Sequence, residues 1–520
     1  MESANENANG VDGGQVVHNG GSTVARVNYG GRINLTHELL RLIKSNDPNV
    51  TELEADFSLG STLPCPANSI DWTKEIWSFF ENSHLEWCKL DIFIRRAPAP
   101  KELENVKAFL KALSRSRSIK SIDFDISDRR EGELCSILGD VFSILSPLFK
   151  RLERFEMINT EFDDKSVQSF CLALESCGND SSLKGIEFDC NRTTSEQAGI
   201  IIDAINIHCN NLLGLKWGRD NGEGYMGRNA FIALSRLVGN PSSTLEELDF
   251  GEEEYDEWDE GVQEVEGTSA FATALANNTK LKVINFGGGP NFFSESEWRT
   301  MSSILRNPDA ILAKLDLTGK VIGDEGVNGL ARGLSTNKSL TELNLNNCRG
   351  VSSVGWIALL NALTDNKTLK FLSLGCIDAV TQLHINPHLM ALSHSLCDGS
   401  SINATFGSNH TLERIWMYSD DWQRAALPPP LADALQLNRN GNKLEVARQK
   451  ILRYHDNEDS IQEFVDMEWQ VLPHAMAWIG RDDTGLSLLY RFVQGMPDLF
   501  DRGSKLNNAG GMKRKRCIIY

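Results

Sequence analysis

Carboxylates recur at one place in this sequence. Glu54, Asp91, Asp123, Glu156, Glu187, Asp249 and Asp316 each stand between the last two apolar residues of a short motif resembling L-x-x-L-x-L. Lys216, Asn285, Asn344, Ser373 and Trp416 complete the series. If the motifs are strands stacked in chain order, these residues sit on neighbouring rungs, on the face away from the core. Like charges so placed repel by roughly 0.2–1 kcal/mol per pair before screening. Such a row can capture a basic protein segment, with fast and salt-sensitive association. The plainer account is that this position faces solvent in any such stack and that the chain is rich in Asp and Glu. Asp125, Asp189 and the segment 251–267 add to the same rim. That segment carries Glu252, Glu253, Glu254, Asp256, Glu257, Asp259 and Glu260 and no basic residue.

Other reactive residue types do not assemble into a catalytic pattern. The sequence contains no G-x-x-x-x-G-K-[ST], G-x-S-x-G, H-E-x-x-H or kinase signature, so no catalytic residue and no enzyme activity are expected. Gly287-Gly288-Gly289 is followed by no phosphate-binding lysine and reads as a loop. His384, His388 and His394 lie at i+4 and i+6 spacing without a nearby carboxylate or cysteine, so no metal or cofactor is assigned. Arg332 and Arg349 are the arginines best placed for an arginine-finger role, although nothing else singles them out. At the C-terminus, Lys513, Arg514, Lys515 and Arg516 form a minimal nuclear-import patch, and Cys517-Ile-Ile-Tyr has the form of a prenylation box with an unusual last residue. A solvated basic tail explains both equally well.

Positioning such a row requires a periodic scaffold. LAKLDL at 312–317, LTELNL at 340–345 and LKFLSL at 369–374 start 28 and 29 residues apart. Between them Val327, Leu330, Ala331 and Leu334 match Trp356, Leu359, Leu360 and Leu363, an i, i+3, i+4, i+7 helical stripe. The final apolar pair of each motif is spaced by two, as a strand requires. Twelve candidate strands follow, anchored at Val50/Leu53/Ala55, Trp87/Leu90/Ile92, Ile119/Ile122/Phe124, Leu152/Phe155/Met157, Leu183/Ile186/Phe188, Leu212/Leu215/Trp217, Leu245/Leu248/Phe250, Leu281/Ile284/Phe286, the three motifs above, and Leu412/Ile415/Met417. A single strand–helix unit cannot bury both of its apolar faces, whereas stacked units bury them jointly. The expected fold is therefore an α/β solenoid with parallel strands on the concave side and helices outside. A doubly wound sheet is the alternative, but it requires no fixed period.

LTELNLNNC at 340–348 and LDLTGKVIGDEGVNGLARGL at 315–334 resemble the ribonuclease-inhibitor-like class of leucine-rich repeats. The resemblance spans about residues 45 to 417. It implies the solenoid fold and admits inhibitors, GTPase-activating proteins, receptors and ubiquitin-ligase adaptors. Repeats before residue 300 are longer than the family's and often use Phe or Ile where it uses Leu.

The 520 residues are expected to divide into an Asn/Gly-rich disordered tail (1–30), a repeat array of about twelve units (31–417), a helical C-terminal cap (418–502) and a basic flexible tail (503–520). No apolar run approaches the roughly 18 residues that span a bilayer, and no apolar leader is present. Eleven scattered cysteines without a C-x-x-C pair indicate reduced thiols and a cytoplasmic or nuclear protein. The net charge of −19 disfavours nucleic acid and favours a basic protein partner. A non-enzymatic interaction scaffold is the leading expectation. A regulator of an enzyme, or a ubiquitin-ligase substrate adaptor, is the alternative.

Overall fold

The computed structural model describes residues 16–19, 22–29, 50–59, 84–94, 100–128, 135–178, 181–189, 191–218, 226–251, 266–287, 291–375, 387–417 and 427–455. They belong to two compact units, residues 1–333 with 339–352, and residues 334–338 with 353–520.

In the first unit, strands alternate with helices along the chain. The strands are β1 (Val16–Asn19), β2 (Ser22–Tyr29), β3 (Val50–Leu59), β4 (Trp87–Ile94), β5 (Ser121–Asp128), β6 (Arg154–Ile158), β7 (Gly185–Asp189), β8 (Gly214–Trp217), β9 (Glu247–Asp249), β10 (Val283–Asn285), β11 (Lys314–Asp316) and β12 (Glu342–Leu345). They hydrogen-bond in chain order, β1 antiparallel to β2 and the rest parallel. The described helices are α1 (Pro100–Leu113), α2 (Cys135–Phe149), α3 (Asp164–Glu175), α4 (Ser195–His208), α5 (Arg228–Gly239), α6 (Thr268–Asn277), α7 (Glu295–Met301) and α8 (Gly323–Leu334). Consecutive helices from α1 to α7 pack on one another, so this part of the unit has a strand layer and a helix layer, as a repeat solenoid requires.

Local signals start each element. Asp163 with Ser166, Thr194 with Gln197 and Ser294 with Glu297 close reciprocal capping boxes at α3, α4 and α7. From β5 to β12 each strand is then laid on its predecessor by one repeated device, a single carbonyl that accepts two successive N–H groups. The Glu86 carbonyl accepts from Lys120 and Ser121, that of Lys120 from Glu153 and Arg154, and that of Glu153 from Lys184 and Gly185. The pattern continues through Lys184, Leu213, Glu246, Lys282 and Ala313. Because it sets the register at every step, strand residues line up in rows across the sheet. Between the layers, Phe124, Phe142, Phe149, Phe155, Phe170 and Phe188 are fully buried, with ring centroids as close as 5.1 Å. The Phe-rich motifs before residue 300 thus fill the same core volume that Leu fills later.

The second unit contains β13 (Phe371–Leu374) and β14 (Arg414–Met417), paired in parallel, and helices α9 (Ser353–Ala362), α10 (Pro387–Leu396), α11 (Ile402–Gly407), α12 (Pro429–Asn438) and α13 (Lys443–Tyr454). Asn366 and Asn409 stand three residues before the first apolar anchor of their strands. Each donates its amide to a carbonyl of the preceding repeat, Leu334 or Leu363, and accepts two N–H groups of its own, Thr368 and Leu369 or Thr411 and Leu412. Asn278 does the same in the first unit. The buried Lys450 on α13 donates to the carbonyls of Leu396 and Asn409, and desolvation brings its pKa down to about 7.

All twelve motifs form strands, β3 to β14. Two expectations change. The Asn/Gly content of residues 1–30 points to a disordered tail, yet β1 and β2 lie within them. The stretch STVARVNY is β-branched and aromatic, and that local preference counts for more than the composition of its surroundings. The second change concerns register in β4. Cys88 and Leu90 are its core anchors, with Leu85 before them, all completely buried. Trp87 and Ile92 had suggested a frame two residues later. Of the cap, α12 and α13 correspond to the first two expected helices. The expected helices beyond residue 455, and the tail at 503–520, lie outside the described residues, and among those described no helix is long and apolar enough to cross a membrane.

Candidate functional site

The strands of the first unit alternate buried and half-buried side chains, so every second residue stands on the solvent face. Pairing aligns one such row as Glu54–Lys89–Asp123–Glu156–Glu187–Lys216–Asp249–Asn285–Asp316–Asn344. Six of the seven expected carboxylates share this row. Asp91 does not: it pairs with Asp56 on one side and Asp125 on the other, and Lys89 holds its place. The correction follows from the β4 frame.

Asp123, Glu156 and Glu187 are neighbours on three consecutive strands. Asp123 accepts a 2.6 Å bond from the Trp87 indole, and Arg154 reaches Glu156 at 3.0 Å and Glu187 at 2.9 Å. Lys216 pairs with the other oxygen of Glu187. The Glu156 and Glu187 side chains are only 16% and 15% exposed. Burial, and then repulsion from Glu187 and Asp123, pushes the Glu156 carboxyl above its ordinary range. Burial raises Asp123 as well, against the Trp87 bond and the Arg154 charge. For Arg154 and Lys216, partial burial acts against the charged form, but the carboxylates outweigh it and raise both.

The remainder of the row has a different task. Asp249 accepts from the N–H of Gly251, Asn285 from Gly287, Asp316 from Thr318 and Asn344 from Asn346. Each side chain closes a turn on the backbone two residues ahead, where its strand ends. Asp316 also accepts from the Thr318 hydroxyl and from the Asn344 amide. These two carboxylates therefore have a reason in the fold itself. Asp249 belongs to both groups, since burial raises its pKa despite the Gly251 bond.

The residues immediately preceding the strands supply a control. Glu86, Lys120, Glu153 and Lys184 lead into β4, β5, β6 and β7, and they alternate in sign. Lys120 pairs with Glu86 at 3.1 Å and Lys184 with Glu153 at 2.7 Å. Three positions further along, β4 carries Lys89, and β5, β6 and β7 carry Asp123, Glu156 and Glu187 side by side.

Next to these acids the sheet face opens into a pocket of about 250 Å³, lined by Arg154, Glu187, Lys216, Glu247, Asp249 and the backbone of β7 and β8. Its floor is Gly185 and Gly214, which pair with each other. Arg154 and Glu247 stand on either side in the same row. Arg154, Glu247 and the two glycines escaped the sequence reading. They occupy the position two residues before a row residue, and counting back two from Glu156, Glu187, Lys216 and Asp249 finds them.

The other candidates are dispersed. The side chains of Glu54 and Asp91, the acidic segment from Glu252 to Glu260, His384, Lys513 to Arg516 and Cys517 lie outside what the structure describes. His388 hydrogen-bonds Ser353, and His394 approaches Asp398 at 3.6 Å. Arg332 bonds the Asn328 carbonyl of its own helix. Asp125 accepts from Asn159. The described cysteines are free thiols, and burial pushes Cys171 and Cys397 up to about 11 and Cys209 up to about 12. Compared with protein-family models and with curated proteins, the chain matches none.

Proposed function

We propose that this chain is a non-enzymatic interaction scaffold, a leucine-rich-repeat solenoid of the ribonuclease-inhibitor-like kind, that holds a basic protein segment across its strand face at β5 to β9. One observation carries the reading. The lead-ins of β5, β6 and β7 alternate base and acid as Lys120, Glu153 and Lys184, while Asp123, Glu156 and Glu187 on the same strands do not. An acid-rich composition would affect both rows alike. Asp123 and Glu156 are poorly solvated and mutually repelling, and Arg154 offsets only part of that. A cationic partner relieves the remainder, and an acidic protein surface speeds its arrival. Work in the cytoplasm or nucleus accords with the free thiols and with the basic patch from Lys513 to Arg516.

The test uses the full chain and a fluorescein-labelled decalysine peptide at 50 mM salt, read by anisotropy. Changing Asp123, Glu156 and Glu187 together to Lys is expected to weaken binding at least tenfold. Raising salt to 300 mM is expected to weaken wild-type binding by a comparable factor. Equal affinity of the triple variant and wild type would overturn the reading.

A further inference from the structure

Glycine inside a strand weakens it, because it adds backbone entropy to the unfolded chain and has no side chain to pack. Such glycines are normally explained by a left-handed backbone, a bulge, or a neighbour that occupies the Cβ position. None of these applies to Gly185 or Gly214. Neither has a positive φ. The pairing of β6, β7 and β8 runs without a register shift. A Cβ on Gly185 would come no nearer than 3.9 Å to Arg154, and one on Gly214 no nearer than 3.8 Å to Glu247, both ordinary contacts. Gly218, just after β8, is the contrast: there a Cβ would fall on the Asp189 carboxylate. The bare backbone at 185 and 214 thus answers to something outside the described fold, and close approach by a ligand is the remaining cause of a strand glycine.

The shape and charge of the pocket define what approaches. From β6 to β9 is three strand spacings, roughly 14 Å. Arg154 closes one end and is engaged with Glu156 and Glu187. Glu247 closes the other end, and among the described residues it has no ion-pair partner. Asp249 lies two residues further along the same face, with one oxygen on Gly251. A side chain laid along the glycine floor would bring its cation to Glu247 and Asp249, with Lys216 beside Asp249 in the row. A planar guanidinium can bond two separate carboxylates at once, whereas an ammonium acts as a point charge.

We infer that the glycine-floored pocket between Arg154 and Glu247 seats one arginine side chain of the basic partner, its stem on Gly185 and Gly214 and its guanidinium on Glu247 and Asp249. The inference rests on the scaffold reading above and adds a specificity that general acidity does not provide.

The test compares two labelled peptides on the full chain, decalysine and the same peptide with one central arginine. Wild type is expected to bind the arginine peptide at least fivefold more tightly. In the double variant Gly185→Thr/Gly214→Thr that preference is expected to vanish. The urea midpoint is expected to hold or rise, because Thr favours strands. Glu247→Gln removes the preference without touching the floor. A preference that survives the threonines, no preference in wild type, or a lower midpoint in the double variant overturns the inference, and each leaves decalysine binding to judge the scaffold. Failure of wild type to bind either peptide removes both readings.

Discussion

Two stretches of one row follow opposite rules. From β5 to β8 the row residues are Asp123, Glu156, Glu187 and Lys216, and their bonds run to other side chains across the sheet. From β9 to β12 they are Asp249, Asn285, Asp316 and Asn344, and each bonds its own backbone two residues on. Side-chain length and strand length explain the difference. Asp and Asn are short enough to close that turn, and β9, β10 and β11 end at the row residue, which leaves the N–H two residues later available. Glu is a methylene too long, and β5 runs on to Asp128, so its later backbone groups belong to the sheet. An acidic residue in a repeat is therefore a candidate for binding where closing a turn does not occupy both of its oxygens, as it does at Asp316 but not at Asp249.

The largest effect that would break this division lies at Asp316. Asp316→Ala removes the acceptor for Thr318 and Asn344 and is expected to lower stability by about 1–3 kcal/mol in urea denaturation, the range for stranded hydrogen-bond partners. A loss under about 0.5 kcal/mol would show that the turn has no structural weight. Asp316→Asn is expected to recover part of it, since Asn285 shows that an amide oxygen suffices, but its amide would face that of Asn344.

In the other stretch the sign reverses. The folded-state pKa values of Asp123 and Glu156 are raised, so the folded chain holds protons that the unfolded chain releases, and stability falls as pH rises above about 3.8 and 4.5 toward the folded values. Asp123→Asn/Glu156→Gln is expected to raise the urea midpoint at pH 7 modestly, by less than about 1 kcal/mol, and to flatten the decline between pH 4 and 7. A double variant less stable than wild type at pH 7 would place these acids with the structural group. The smallest effect belongs to the lead-in ladder: Lys282→Ala breaks an exposed 2.7 Å pair with Glu246 and is expected to change stability by under about 0.5 kcal/mol.

Much of this was legible beforehand. The apolar period located every strand from β3 to β14, because burial on a stacked surface leaves little choice of residue at Ile122, Phe155, Ile186 or Leu248. The turn-closing group was also legible in principle: Asp249-Phe-Gly, Asn285-Phe-Gly and Asp316-Leu-Thr differ visibly from Glu156-Met-Ile and Glu187-Phe-Asp. What misled was β4, where Trp87, Cys88, Leu90, Ile92 and Phe93 are apolar on both faces and two frames score alike. Only hydrogen-bond register separates them, and register is a property of two strands.

The same boundary runs through the site. The repeating unit, its strands and most of the residues that stand off the core follow from the order of residues alone, because alternation and period act over a few neighbours along the chain. Which of those residues meet was decided in three dimensions. Arg154 lies across two acids, Gly185 and Gly214 pair to bare the backbone, and Glu247 faces the gap, since each unit is laid on the last by bonds between residues about thirty positions apart. A row across a sheet has no image in any single stretch of sequence, and its chemistry becomes visible only once the rungs are aligned.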